Sequence, residues 1–116
     1  MNLPLLATAI IGFSSVLLGS FAEHSLKAQL TQEFFDKFMI GLRYQQLYSV
    51  ILLVLATNTS HIKKAFWPFC FATVTFSSSI YAYVLLDSKI ISYVTPVGGI
   101  ALLIAWLYLG YLALKH

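Results

Sequence analysis

An acid and a base stand side by side at Glu23-His24, in the stretch Gly19-Ser20-Phe21-Ala22-Glu23-His24 that closes a 22-residue run without a charged side chain. Three kinds of chemistry would use such a pair. A carboxylate and an imidazole converging on one substrate share general acid-base work, for example on a lipid headgroup. A carboxylate in a membrane segment carries protons for a small transporter. A histidine among acids can hold a metal, but no ligand spacing accompanies this one, so neither a metal nor another cofactor is expected. Adjacent residues on a helix point about 100° apart, so Glu23 and His24 need another helix to bring them together. Five more residues are candidates for that company: Arg43, Tyr44 and Gln45 in one segment, Asp87 in the next and Thr95 in the last. No nucleophile-base pair is visible. Cys70 stands alone in an apolar run, which excludes an intramolecular disulfide and suits a small buried hydrophobe.

The elements that must position these residues follow from composition. Of 116 residues, 59% are hydrophobic and 9% charged, against about 25% charged in soluble domains. The net charge of +3 is scattered at the ends of apolar runs, as membrane proteins place it, and does not point to nucleic acid. Asp, Glu, Lys and Arg are missing from 1–22, 44–62, 65–86 and 90–114. A helix needs about 20 apolar residues to cross the hydrocarbon core. The pattern predicts one all-α domain, an integral membrane bundle with spans near 3–22, 38–57, 65–86 and 95–115. The second span must start near Phe38 and carry Arg43, which either snorkels to the interface or enters the bundle with a partner such as Glu23 or Asp87. A small-x-small pattern at Ser20 and Ala22 admits signal cleavage, but no Lys or Arg precedes the apolar run, which argues for retention.

Between the first two spans, Thr31 suits an N-cap. Phe34, Phe35, Phe38, Met39 and Leu42 then recur at helical spacing opposite Glu33, Asp36 and Lys37. This predicts a short amphipathic helix lying on the membrane and turning inward at Gly41. Thr95-Pro96 reads as an N-cap followed by proline at the first helical position. In the first span Thr8, Gly12, Ser15, Gly19 and Ala22 form a stripe of small residues, the feature that lets helix backbones approach in lipid. Gly98, Gly99 and Trp106 mark a second packing face on the last span. Four spans put both termini on one side and every acidic residue on the other. The acid-free His61-Ile62-Lys63-Lys64 turn favours the terminal side as cytoplasmic.

With these residues in view, the chain resembles the transmembrane protein 256-like family of small four-helix membrane proteins, a family of unknown function. That family's first helix ends in a motif matched by Gly19, Phe21, His24, Leu26 and Lys27. A Tyr-Gln pair after an arginine is matched by Arg43, Tyr44 and Gln45. A serine-rich stretch is matched by Ser77 to Tyr81, and a Thr-Pro-x-Gly-Gly stretch with a following tryptophan by Thr95, Pro96, Gly98, Gly99 and Trp106. Ala22, Glu23, Ser25 and Tyr48 depart from the pattern. The resemblance implies a four-helix fold in a membrane, here a bacterial cytoplasmic membrane, and brings no activity with it. The expected role is a non-enzymatic interaction or accessory subunit, with the lipid bilayer and a membrane-protein partner or a second copy as its company. The alternatives are a small homodimeric carrier or channel, and an enzyme built on Glu23 and His24.

Overall fold

The computed structural model describes residues 1–115. Four long helices dominate it, each long and apolar enough to cross a membrane: α1 (Leu3–Phe21), α2 (Gln32–Ala56), α3 (Phe66–Leu86) and α4 (Val94–Leu114). No strand occurs among the described residues. Their starts follow local chemistry. The Asn2 side chain accepts a hydrogen bond from the Leu5 amide at 3.2 Å, and Pro4 occupies the first turn, where an amide would have no partner anyway. Thr31 caps α2 by accepting from the Phe34 amide at 3.2 Å. Between α3 and α4, Asp87 takes the left-handed conformation (φ 50°, ψ 44°), which ends α3 and turns the chain.

Two expectations require correction. The amphipathic stretch after Thr31 is not a separate helix lying on the membrane. It forms the opening turns of α2, which runs unbroken through Gly41, because Phe38 is fully buried in a cluster with Ala22, Leu26, Ile80 and Val84. Nor does Thr95 cap α4. That helix starts at Val94, almost continuous with a short turn at Lys89–Ser92, so the Thr95 hydroxyl lies inside its first turn.

A second cluster gathers Ile11 from α1, Tyr48, Leu52 and Leu55 from α2, Phe66 and Phe69 from α3 and Leu112 from α4. The start of α1, the end of α2, the start of α3 and the end of α4 therefore share one end of the molecule. The helices alternate in direction, and the described terminal segments lie together. They pack in chain order, α1 on α2, α2 on α3 and α3 on α4. The result is a folded row with α1 and α4 on its flanks. α3 buries nine residues, whereas α1 buries only Thr8, Ile11 and Ser15 within its helical span. Large apolar side chains such as Phe13 and Leu107 cover the outside, which suits lipid.

Between helices in lipid, close approach and hydrogen bonds replace the hydrophobic drive. Two glycines set the closest crossings. A Cβ on Gly98 would fall 2.6 Å from the Phe76 Cα, and one on Gly41 would fall 3.1 Å from Tyr81 Cε1. A side chain at Gly98 would drive α4 off α3, since the obstacle is backbone.

Candidate functional site

The polar residues singled out by the sequence do not gather at one place. After α1 the chain widens into a π-helical turn, Ala22–Leu26, closed by the Lys27 amide on the Ala22 carbonyl. Such turns are rare and often mark functional positions. Ala22 and Leu26 point into the core, which leaves Glu23 and His24 exposed on the outside of the turn. Arg43 is exposed on α2, turned away from the bundle interior, and Asp87 is the exposed left-handed residue ending α3. Among the described residues the one ion pair is Lys37–Glu33, at 3.4 Å along α2. No group of three or more His, Cys, Asp or Glu among them could hold a metal. Tyr44 packs its ring 4.8 Å from that of Phe76. Thr95 shares a hydrogen bond with Ser79 at 2.8 Å, tying α4 to α3.

Gln45 alone of that set goes deep. Only 6% exposed, it faces the interior from the middle of α2. Its Nε2 donates to the Ile11 carbonyl at 2.9 Å and to Ser14 Oγ at 2.8 Å, both on α1. Its Oε1 accepts from the Tyr81 hydroxyl on α3 at 2.5 Å. One turn away on α3, Ser77 Oγ donates to the Gly41 carbonyl at 2.9 Å, fastening α3 to α2. One amide thus joins three helices, and no buried side-chain polar atom among the described residues is left without a partner. Burial makes each of these bonds costly to break. Their chemistry is that of neutral amides and hydroxyls, suited to fixing helices and to meeting another polar group in lipid.

Beside this network a cleft of about 270 Å³ opens between α1 and α3. Ile10 and Ser14 form one wall, Val74 and Ser78 the other, with Gln45 and Tyr81 between them. A second cleft of about 270 Å³ lies on the other side of α1, where Thr8, Ala9 and Gly12 face Ser49, Val50 and Leu53 of α2. The opposite flank is closed differently. Trp106 of α4 donates its indole N–H to the Tyr48 hydroxyl at 2.8 Å and meets Phe69 edge to face at 5.0 Å. Ser14, Ser77 and Tyr81 were not among the site candidates read from the sequence. Their signal was present for Ser77 and Tyr81, four residues apart and so on one helix face, but nothing in α1 advertised Ser14.

Residues 18–99 match the family model described as protein of unknown function DUF423. This chain belongs to the DUF423 family. The matched span runs from the end of α1, through Gln45 and Tyr81, to Gly98 and Gly99, and leaves out Ile11 and Ser14, the partners of Gln45 on α1. Similar whole-length proteins carry the name UPF0382. One is the UPF0382 membrane protein of Haemophilus influenzae, 31% identical over 98% of this chain and 95% of its own length. Another is the Escherichia coli UPF0382 inner membrane protein YgdD, 32% identical over 97% of this chain and 91% of its own. The Bacillus subtilis UPF0382 membrane protein YwdK is 25% identical over 100% and 99%. No solved structure matches the chain. A DUF423 chain with four apolar spans is a membrane protein, and the family name assigns it no activity.

Proposed function

We propose that this DUF423 protein is a non-enzymatic membrane subunit whose α1 edge receives a helix of a partner membrane protein. The pair of clefts flanking α1 carries this reading. Acyl chains gain nothing from Ser14, Gln45, Ser78 and Tyr81, whereas a helix bearing small or hydroxyl residues packs closely there and exchanges hydrogen bonds. The positions of Glu23, Glu33, Asp36 and Asp87 also weigh against proton-coupled transport, since all four stand at the ends of spans. We place the protein in a bacterial cytoplasmic membrane with its termini inside, supported by the acid-free Lys63-Lys64 turn. The narrower kinship with transmembrane protein 256 rests on the shared motifs alone.

Photo-crosslinking amino acids in intact cells test this. A crosslinker at Ile10 or Val74 should give one discrete adduct with the same larger membrane protein, and a crosslinker at the outward Leu107 should not. An Ile10 adduct at twice the chain mass would replace the subunit reading with the homodimeric carrier. Equal lipid adducts at all three positions would remove both.

A further inference from the structure

Away from α1, at the face of the bundle opposite the described termini, a cavity of about 470 Å³ lies between the beginnings of α2 and α4 on a floor of α3. That volume falls within the range of about 300–1,000 Å³ usual for small-ligand sites. Its chemistry is divided along the membrane normal. Lys37, Tyr83 and Ser92 line it at the outer end, while Ile40, Ile80 and Phe76 line it one or two turns further in. Tyr83 also sits near the end of its span, where aromatic residues mark the headgroup level. The Lys37 ammonium stands 5.0 Å above the centre of the Tyr83 ring and 3.5 Å from its hydroxyl. Phe34 offers a second ring 5.9 Å away. A cation held over aromatic faces is fixed in place without being neutralised. Its one acidic partner, Glu33, is 75% exposed and held at 3.4 Å, a pairing that water already weakens.

We propose that this cavity binds one anionic phospholipid of the surrounding leaflet, its phosphate on Lys37 and Tyr83 and an acyl chain along Ile40, Ile80 and Phe76. A polar end at headgroup depth, a single part-exposed cation in the lining and an apolar trough below it match that amphiphile in order and in charge. A zwitterionic lipid would bring a second cation against Lys37. The anionic head displaces Glu33 from Lys37, and the Glu33 carboxylate turns to solvent. The site shares no residue with the clefts beside α1, so it stands or falls separately from the partner-helix reading.

The test is native mass spectrometry of the full chain released from nanodiscs containing phosphatidylcholine and phosphatidylglycerol. The wild-type chain should retain one phosphatidylglycerol and little phosphatidylcholine. Loss of one charge-assisted contact corresponds to about tenfold, so Lys37→Gln should lower that retention by at least about tenfold. Ile40→Trp, which fills the trough and keeps the charge, should lower it similarly. Lys64→Gln, an equal charge change at the other end of the molecule, should leave it unchanged, and Glu33→Gln should raise it. Unchanged helical circular dichroism certifies each variant. Retention at the wild-type level in either Lys37→Gln or Ile40→Trp overturns the site, as does equal retention of phosphatidylcholine. Displacement of phosphatidylglycerol by equimolar oleate overturns the phospholipid as the occupant in favour of a free fatty acid.

Discussion

The two flanking helices solve the same problem in opposite ways. α4 lies against α3 with backbone almost touching: Gly98 leaves no room for a Cβ beside Phe76, the Thr95–Ser79 bond closes the same seam, and Trp106 reaches beyond it to bond Tyr48 on α2. α1 stands on α2 with equally small residues, yet Gly12 has nothing within 4 Å of where its Cβ would be. Clefts remain on both sides of α1, and beyond the packing of Ile11 in the core, the side-chain hydrogen bonds that hold it among the described residues come from the single Gln45 amide. Small residues therefore do different work on the two flanks. On α4 Gly98 is consumed by contact with α3, a Cβ on Gly99 would lie 3.8 Å from the Phe76 ring, and only Gly110, near the helix end, has nothing within 4 Å of that position. On α1 a Cβ on Gly19 would already meet Leu42 and Gln46 of α2 at 3.7 Å, but mid-helix Gly12 leaves a surface between the clefts that a further helix can enter, and this difference singles out α1 as the edge for a partner.

Breaking the tight seam should have the largest effect. Gly98→Val puts a branched Cβ where the Phe76 backbone already lies, so α4 must move away from α3 and lose both bonds with it. Overpacking of a rigid site costs about 1–3 kcal/mol and more where backbone must shift, so a loss of about 3 kcal/mol or more is expected in reversible unfolding in detergent micelles. A change below about 0.5 kcal/mol would mean that the seam is as loose as that of α1.

Next comes the anchor of α1. Gln45→Leu removes three hydrogen bonds and strands the Tyr81 hydroxyl. Bonds of this kind in membranes average about 0.6 kcal/mol each, while a stranded buried group costs about 1–3 kcal/mol. About 2 kcal/mol of destabilisation is expected, with hydrogen exchange accelerated first at Ile11 to Ser15 and little changed in α4. Equal acceleration in both flanks would remove the distinction between them.

Much of this arrangement is legible in the sequence because hydrocarbon excludes charge, and the charge-free runs therefore mark the four spans. The opening of α2 is not, since Phe34, Phe35, Phe38 and Met39 recur at the same spacing whether a helix rests on a membrane or enters it. Only the burial of Phe38 against Ile80 and Val84 decides. The Tyr44-Gln45 pair is visible as polar residues in an apolar run. Its main partner on α1 is a backbone carbonyl, that of Ile11, which no reading of side chains exposes. Glu23 and His24 draw attention by their types, but the π-helical turn that sends them outward follows from where Ala22 and Leu26 must be buried. Lys37 looks like an ordinary charge on the polar face of an amphipathic helix. Its aromatic platform comes from Tyr83, 46 residues further on. Contacts of that span set the site and are the part least written into local pattern.

The smallest expected effect is also the most discriminating. Gly12→Ala adds a methyl group to open space in the middle of α1. Alanine is favoured over glycine within a helix by about 1 kcal/mol, so the isolated protein should be unchanged or slightly more stable in the same unfolding measurement. The added methyl protrudes into the cleft facing Ser49 and Val50, where a partner helix would need close approach. The yield of a photo-adduct from a crosslinker at Leu53, which lines that cleft, should therefore fall while stability does not. A substitution that loosened α1 would lower both together. Reduced stability in Gly12→Ala would mean that α2 already fills the space beside Gly12, leaving α1 no more open than α4.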